Sequence, residues 1–392
     1  MIYLDNAATS WPKPEAVYQA MNGFMCHVGA SPGRSGHRLS IEAGRIVYQA
    51  REGLAQLFNI DDPLRIIFTH NATEALNLAI NGTLRPGDHA ITSSMEHNSV
   101  MRPLRALEDR GVELTVVSCS KEGFLDPQEV EKVVRRNTRL IVLNHASNVV
   151  GTLLPVAEVG AIARRHGVFF CVDAAQSAGA YPLDIPSMNV DLLAFTGHKS
   201  LFGPQGTGGL FIRQGMEDVL QPLMRGGTGS RSDSEHQPDF LPDKYESGTP
   251  NTVGLAGLGA GVQFVLHHSV DALREREERL MYLLIEGLGA ISGVTLYGSG
   301  DAREQVAVLS FNIAGAAPSE VAMRLEEEYD ILCRPGLQCA PIAHKTLGTF
   351  PEGTVRVSPG YFSTEGEVNI TVEAIANVAR GAAKEDGDGL NG

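Results

Sequence analysis

Seven short runs dense in apolar and β-branched residues recur along the first half of the chain. They are RIIFT (65–69), HAITS (89–93), ELTVVS (113–118), RLIVLN (139–144), VFFCVD (168–173), LLAFT (192–196) and GGLFI (208–212). These runs do not alternate polar with apolar residues. A strand that is apolar on both faces must be covered on both, so a sheet built from them needs helices above and below it. Helical patterns fill most gaps, at 74–80, 99–110, 127–135 and 156–165. Asp126 ahead of Pro127 offers an N-cap with proline in the first turn. Strand–helix alternation of this kind predicts an α/β domain around a mostly parallel sheet.

The pattern changes after Pro250. Residues 255–292 read as one long helical stretch, small residues first (GLAGLGAG) and charged ones later (REREERL). No strand feeds those glycines, so they imply close helix packing rather than a dinucleotide fingerprint. A strand at 306–313 (VAVLSFNI), a helix at 319–329, a strand at 354–358 and a helix near 365–380 predict a smaller α+β C-terminal domain. The division expected is a large domain over 14–254, a small domain from 1–13 and 255–383, and a disordered tail over 384–392.

The 32 Lys and Arg against 46 Asp and Glu leave a net charge of −14. That balance argues against nucleic-acid and membrane-surface partners, which need a basic face. No apolar run approaches the roughly 18 residues of a membrane span. The opening MIYLDNAATSWPKP lacks a basic stretch followed by an apolar one, so no signal peptide is expected. Five cysteines, at 26, 119, 171, 333 and 339, show no paired spacing. Free thiols point to a reducing, cytoplasmic setting, where the sequons at Asn71, Asn81 and Asn369 carry no glycan. No set of His, Cys and carboxylates has metal-site spacing.

In open α/β sheets ligands sit beyond the carboxyl ends of the strands. Five successive strand ends carry polar or titratable groups: His70 to Glu74, Met95 to Asn98, Asn144 to Asn148, Asp173 to Gln176, and Thr196 to Lys199. Ala72 and Thr73 at a helix start suit a phosphate. Asp173 ends an apolar strand, where a carboxylate is costly unless it meets a cation such as a protonated pyridine nitrogen. Lys199, in a glycine-flanked turn, has an amine able to form a Schiff base. Together these describe pyridoxal 5'-phosphate (PLP). No Walker A pattern occurs.

The ordered set YLDNAAT, NATEALN, MEHNS, ASNVVGT, VDAAQS, TGHKSLFGPQGTGGL, YESGTPNT, CRPGLQCAP and TVRVSPGYFSTEGE spans essentially the whole chain. It resembles the class V aminotransferase-type PLP enzymes, in particular the NifS/SufS-like cysteine desulfurases. The resemblance implies the fold type I transferase architecture, with a seven-stranded, mostly parallel sheet in the large domain. It implies that Lys199 binds PLP and shuttles the Cα proton. Asp173 would pair with the ring nitrogen, Gln176 with the ring oxygen, and His97 would stack on the ring and share in proton transfer. Ala72, Thr73, Thr196 and His198 would hold the phosphate, with Thr249 reaching it from the other subunit of a homodimer. Asn148 would lie between the ring oxygen and the substrate carboxylate, which Arg356 would grip as a fork. Cys339 would take sulfur from L-cysteine as a persulfide, leaving L-alanine, and pass it to an acceptor protein for iron–sulfur clusters or thio-cofactors.

The same scaffold serves a selenocysteine lyase, or an aminotransferase or β-lyase in which Cys339 is incidental. His27, His37, His70, His145 and His344 are expected to be structural, and Cys119, Cys171 and Cys333 small buried hydrophobes. The glycine- and proline-rich surroundings of Cys339 favour its exposure, on a segment short enough to limit its reach toward an acceptor. One departure stands beside it. Gln338 occupies a position where many desulfurases have histidine, and glutamine cannot lower a thiol pKa by charge.

Overall fold

The computed structural model describes residues 1–33 and 35–388. A short strand β1 (Ile2–Tyr3) leads into helices α1 (Glu15–His27) and α2 (Arg38–Leu57). The large domain continues as β2 (Ile66–Thr69), α3 (Ala72–Thr83), β3 (His89–Ser93), α4 (Asn98–Glu108), β4 (Glu113–Val117), α5 (Pro127–Lys132) and β5 (Thr138–Asn144). It is completed by α6 (Val156–His166), β6 (Phe169–Asp173), β7 (Leu192–Thr196) and β8 (Gly208–Ile212). Every apolar run is a strand of one seven-stranded sheet, ordered β2-β8-β7-β6-β5-β3-β4. All neighbours are parallel except β8, which runs antiparallel to β2 and β7.

Successive strand residues feed opposite cores. Ile67, Leu140, Val142, Leu192 and Leu210 pack with Leu76 and Ile80 of α3 and Leu104 of α4. Ile66, Ile141, Leu143, Phe170 and Leu193 pack with Leu54 of α2, Val159 of α6 and Leu258 of α7 (Thr252–His268). That double covering is why the central runs lack alternation, while β4, at the sheet edge, is mostly half-buried. Asp126 caps α5 as expected, accepting from Gln128 N with Pro127 in the first turn.

The expected single helix over 255–292 is two. Helix α7 ends at Ser269, whose φ of +67° breaks the ladder, and α8 (Val270–Gly289) leaves at 82° to it. The Ser269 hydroxyl accepts from Ala272 N and so caps α8. Apolar spacing runs smoothly through the junction, and only the cap marks the corner. The α7 glycines do serve close packing: a Cβ on Gly257 would meet Met21 of α1, and one on Gly261 would lie 2.3 Å from the Leu201 carbonyl oxygen. Gly261→Ala is therefore expected to destabilise by about 2 kcal/mol through overpacking, where an unconstrained helix would gain about 1 kcal/mol. Urea denaturation gives the sign.

The small domain adds β9 (Val294–Tyr297), β10 (Leu309–Ile313), α9 (Pro318–Tyr329), β11 (Ile331–Leu332), β12 (Arg334–Gly336), α10 (Pro341–Leu347), β13 (Thr354–Val357) and α11 (Glu365–Asp388). An antiparallel sheet β12-β13-β10-β9 shares a core with α8, α9 and α11, and β1 pairs with β11 in parallel. The strand expected from 306 begins at Leu309. Helix α11 continues through Asp388, into the stretch expected to be disordered from 384; residues 389–392 lie outside the described residues. Among the described residues no single helix is long and apolar enough to cross a membrane.

Candidate active site

The carboxyl ends of β2, β3, β5, β6 and β7 converge on a cavity of about 210 Å³, closed from the small domain by β12, β13 and the loop carrying Cys339. Eleven of the residues expected at a site line it: Ala72, Thr73, His97, Asn148, Asp173, Gln176, Thr196, His198, Lys199, Cys339 and Arg356. Thr249 does not. It is exposed and lines a separate cavity of about 250 Å³ beside His70, Tyr245 and Asn251.

Two helix N-termini meet at one end of the cavity. The Asn71 side chain caps α3 by accepting from Glu74 N, and the Thr73 hydroxyl lies 2.7 Å from that of Ser99 in the first turn of α4. His97 caps α4: its Nδ1 accepts from Ser99 N at 3.0 Å, so the neutral ring carries its proton on Nε2. Burial, then the positive charge of Lys199, pulls the His97 pKa down to about 4. His198, beside the lysine, is lowered to about 4 for the same two reasons in the same order.

Lys199 follows β7 in the turn Gly197–Ser200. Burial brings its amine down to about 8, helped by Arg356 and opposed by Asp173. Asp173 ends β6, is 5% exposed, and accepts from Ala175 N at 2.9 Å. Burial raises its pKa, opposed by the hydrogen bond from Ala175 N and by the positive charge of Lys199. Gln176 donates to Ala7 O. Arg356, 1% exposed, donates to Asn148 O and pairs with Asp5 at 2.7 Å. Its guanidinium is thus partly committed before any substrate arrives, and only its Nε is without a partner among the described residues.

These residues fit PLP on physical grounds. His198 Nδ1, Asn148 Oδ1 and Arg356 Nε are buried polar atoms without partners among the described residues, a condition that costs about 1–3 kcal/mol each unless a ligand relieves it. Asp173 is a buried carboxylate awaiting a cation. The paired helix ends suit a phosphate, and a lysine with a pKa of about 8 suits an aldehyde.

Cys339 is exposed, and its loop is tightly held. Gln338 and Cys339 both take left-handed conformations, at φ +41° and +60°. Asn148 Nδ2 donates to Gln338 O at 2.7 Å and Asn98 N to Cys339 O at 2.8 Å, which offsets the backbone strain. The Gln338 side chain is committed inward. Its Nε2 donates to Thr354 O and Arg334 O, so its Oε1 must accept from His344 Nε2–H, 2.8 Å away. His344 Nδ1 then accepts from the Thr349 hydroxyl. His344 is structural, and residue 338 props the loop rather than tuning the thiol.

Sequence reasoning assigned no role to Arg334, Ser99, Asn144 or Glu96. Arg334 lines the cavity and lay unremarked within CRPGLQC. Glu96 is fully buried, accepts from Asn144 N and the Ser93 hydroxyl, and is raised to about 8, chiefly by burial. A carboxylate adjoining His97 at a strand end was the available signal. Of the three cysteines expected to be buried, Cys171 is buried, with its pKa raised well above the usual thiol value, whereas Cys119 and Cys333 are half-buried and pushed up by burial to about 11 and about 12.

The aminotransferase class V family model matches residues 2–370. A probable cysteine desulfurase of Methanothermobacter thermautotrophicus is 35% identical over 96% of this chain and 94% of its own. The apo cysteine desulfurase of Thermococcus onnurineus superposes with a TM-score of 0.91 at 33% identity, covering 97% of this chain and 95% of that one. The cysteine desulfurase CsdA of Escherichia coli, in its S-sulfonic acid form, gives 0.85 at 28% identity over 96% and 94%. With the motifs, the fold and the cavity in agreement, the chain belongs to the class V aminotransferase family, on its NifS/SufS-like cysteine desulfurase branch.

Proposed function

We propose that this protein is a PLP-dependent L-cysteine desulfurase that leaves L-alanine and a persulfide on Cys339. The observation that carries the reading is one exposed thiol on the rim of a cavity whose floor holds Lys199 and the buried carboxyl group of Asp173. Ala72, Thr73, Thr196 and His198 would hold the cofactor's phosphate, Asp173 its ring nitrogen, Gln176 its ring oxygen, and His97 would cover its face. Bound there, the cofactor supplies a sink for electrons from the substrate's Cα. Lys199, at about 8, can accept and return a proton near neutral pH. Arg356 and Asn148 orient the substrate carboxylate. The Cys339 thiolate attacks the substrate sulfur; an S–S bond forms as the substrate's C–S bond breaks, its electron pair stays with carbon, and a proton completes alanine.

The test is incubation with L-cysteine without reductant, with persulfide mapped by mass spectrometry and alanine assayed. Persulfide on Cys339 with matching alanine supports the reading; alanine without it points to β-elimination, and neither product with PLP loaded overturns the substrate.

The same proposal includes a homodimer, a cytoplasmic setting, and an acceptor protein that collects the sulfur for iron–sulfur clusters or thio-cofactors. Thr249 motivates the dimer, being exposed and outside the lining of its own chain's cavity. Mixing Lys199→Ala and Thr249→Ala chains is expected to restore one intact site per heterodimer, so activity should exceed the sum of the two variants. A fully active monomer in sedimentation would exclude this arrangement.

A further inference from the structure

Strand β12 lies antiparallel to β13 with Arg334 directly opposite Arg356. Like charges placed so are destabilising unless an anion intervenes. Arg356 has one, in Asp5 at 2.7 Å. Arg334 has no carboxylate partner among the described residues, and its side-chain contact is with sulfur: Nη2 lies 3.8 Å from Cys339 Sγ.

The chain is bent to make that contact. Gly336, Gln338 and Cys339 all have positive φ, at +97°, +41° and +60°, which turns the segment back over its own strand. The clamps from Asn148 and Asn98 hold it there. Gln338, the neighbour whose charge the sequence lacks, is committed inward to His344. The other titratable groups lining the cavity are His97, Asp173, His198, Lys199 and Arg356. Among the described residues Arg334 is the one in hydrogen-bonding contact with the thiol.

We infer that Arg334 is a catalytic residue that ion-pairs with the Cys339 thiolate before sulfur transfer and with the terminal sulfur of the persulfide after it. The inference rests on the desulfurase reading, and it supplies from residue 334 the positive charge that residue 338 does not.

The test is carbamidomethylation of the holoenzyme by iodoacetamide, followed on the Cys339 peptide by mass spectrometry at pH 7 and pH 10. Losing a cation at contact distance cuts the thiolate fraction about tenfold. The freed thiolate is about threefold more nucleophilic, because nucleophilicity follows basicity with a slope near 0.45. Arg334→Gln is thus expected to react about threefold slower than wild type at pH 7 and about threefold faster at pH 10. Arg334→Lys should stay near wild type at both. A crossing of this kind does not arise from misfolding or altered access, which move both rates the same way. Equal rates, or a change of one sign at both pH values, would overturn the pairing. In turnover with L-cysteine, Arg334→Gln should lower kcat about tenfold with KM little changed; a rise in KM alone would make Arg334 part of the carboxylate clamp and sink the proposal. Absence of persulfide on wild-type Cys339 would be a failure of the desulfurase reading, separable because alkylation needs no turnover.

Discussion

Cys339→Ala is expected to lower alanine formation from L-cysteine by at least about a thousandfold, with PLP still bound and its absorption still responding to cysteine. The size follows from the lack of a substitute. Among the described residues Cys339 is the one cysteine lining the cavity. Cys119 and Cys333 are pushed by burial to about 11 and about 12, burial raises Cys171 well above the usual thiol value, and Cys26, though exposed, lies on α1 outside the cavity. Single-turnover alanine release, read beside the absorption spectrum, separates loss of the nucleophile from loss of the cofactor. Undiminished alanine from the variant would make Cys339 incidental and favour β-lyase chemistry. Selenocysteine, whose selenium leaves more readily, is the companion substrate.

Asp173→Asn is expected to cost activity on the order of a thousandfold while stabilising the protein without PLP. Two unit charges near 3 Å at an effective dielectric near 20 attract by about 5 kcal/mol. A neutral amide forfeits that hold on a protonated ring nitrogen, although its Oδ1 can still accept from Ala175 N as Asp173 does. The stability sign runs the other way. Burial raises the Asp173 pKa, so its contribution is greatest below the unfolded value and is lost as pH rises. At neutral pH the cofactor-free fold therefore carries the cost of holding this buried acid, which Asn does not. Thermal melts at pH 7 should show a higher Tm for the variant without PLP and a smaller gain on adding it. A wild-type protein whose Tm rises no more than the variant's on loading would show that Asp173 does not meet the cofactor's charge.

The contact geometry around Cys339 bears on how sulfur leaves the enzyme. With its backbone clamped by Asn98 and its neighbour by Asn148, the thiol is poorly placed to swing outward. Under the proposed function, an acceptor would therefore have to bring its own nucleophile to the cavity rim. The short, glycine- and proline-rich segment already implied limited reach, and the hydrogen bonds supply the reason.

The doubly apolar strand runs were decided by the sequence alone, because a sheet buried on both faces leaves no other pattern, and all of them became strands. The polar strand ends were legible for the same reason: carboxyl ends of strands in one sheet share one rim. The Asp126 cap was local chemistry and held. Helices α1 and α2 were not anticipated; α1 buries little more than Val17 and Phe24, so its apolar stripe is faint in the sequence. The corner at Ser269 was hidden because periodicity persists through it while a single φ changes sign. Tertiary structure alone decided the direction of the Gln338 side chain and the approach of Arg334 to Cys339. Both depend on where a left-handed turn sends the chain relative to a neighbouring strand. Sequence spacing reports which residues share a strand or a helix face, but it does not report which side of a loop faces a thiol.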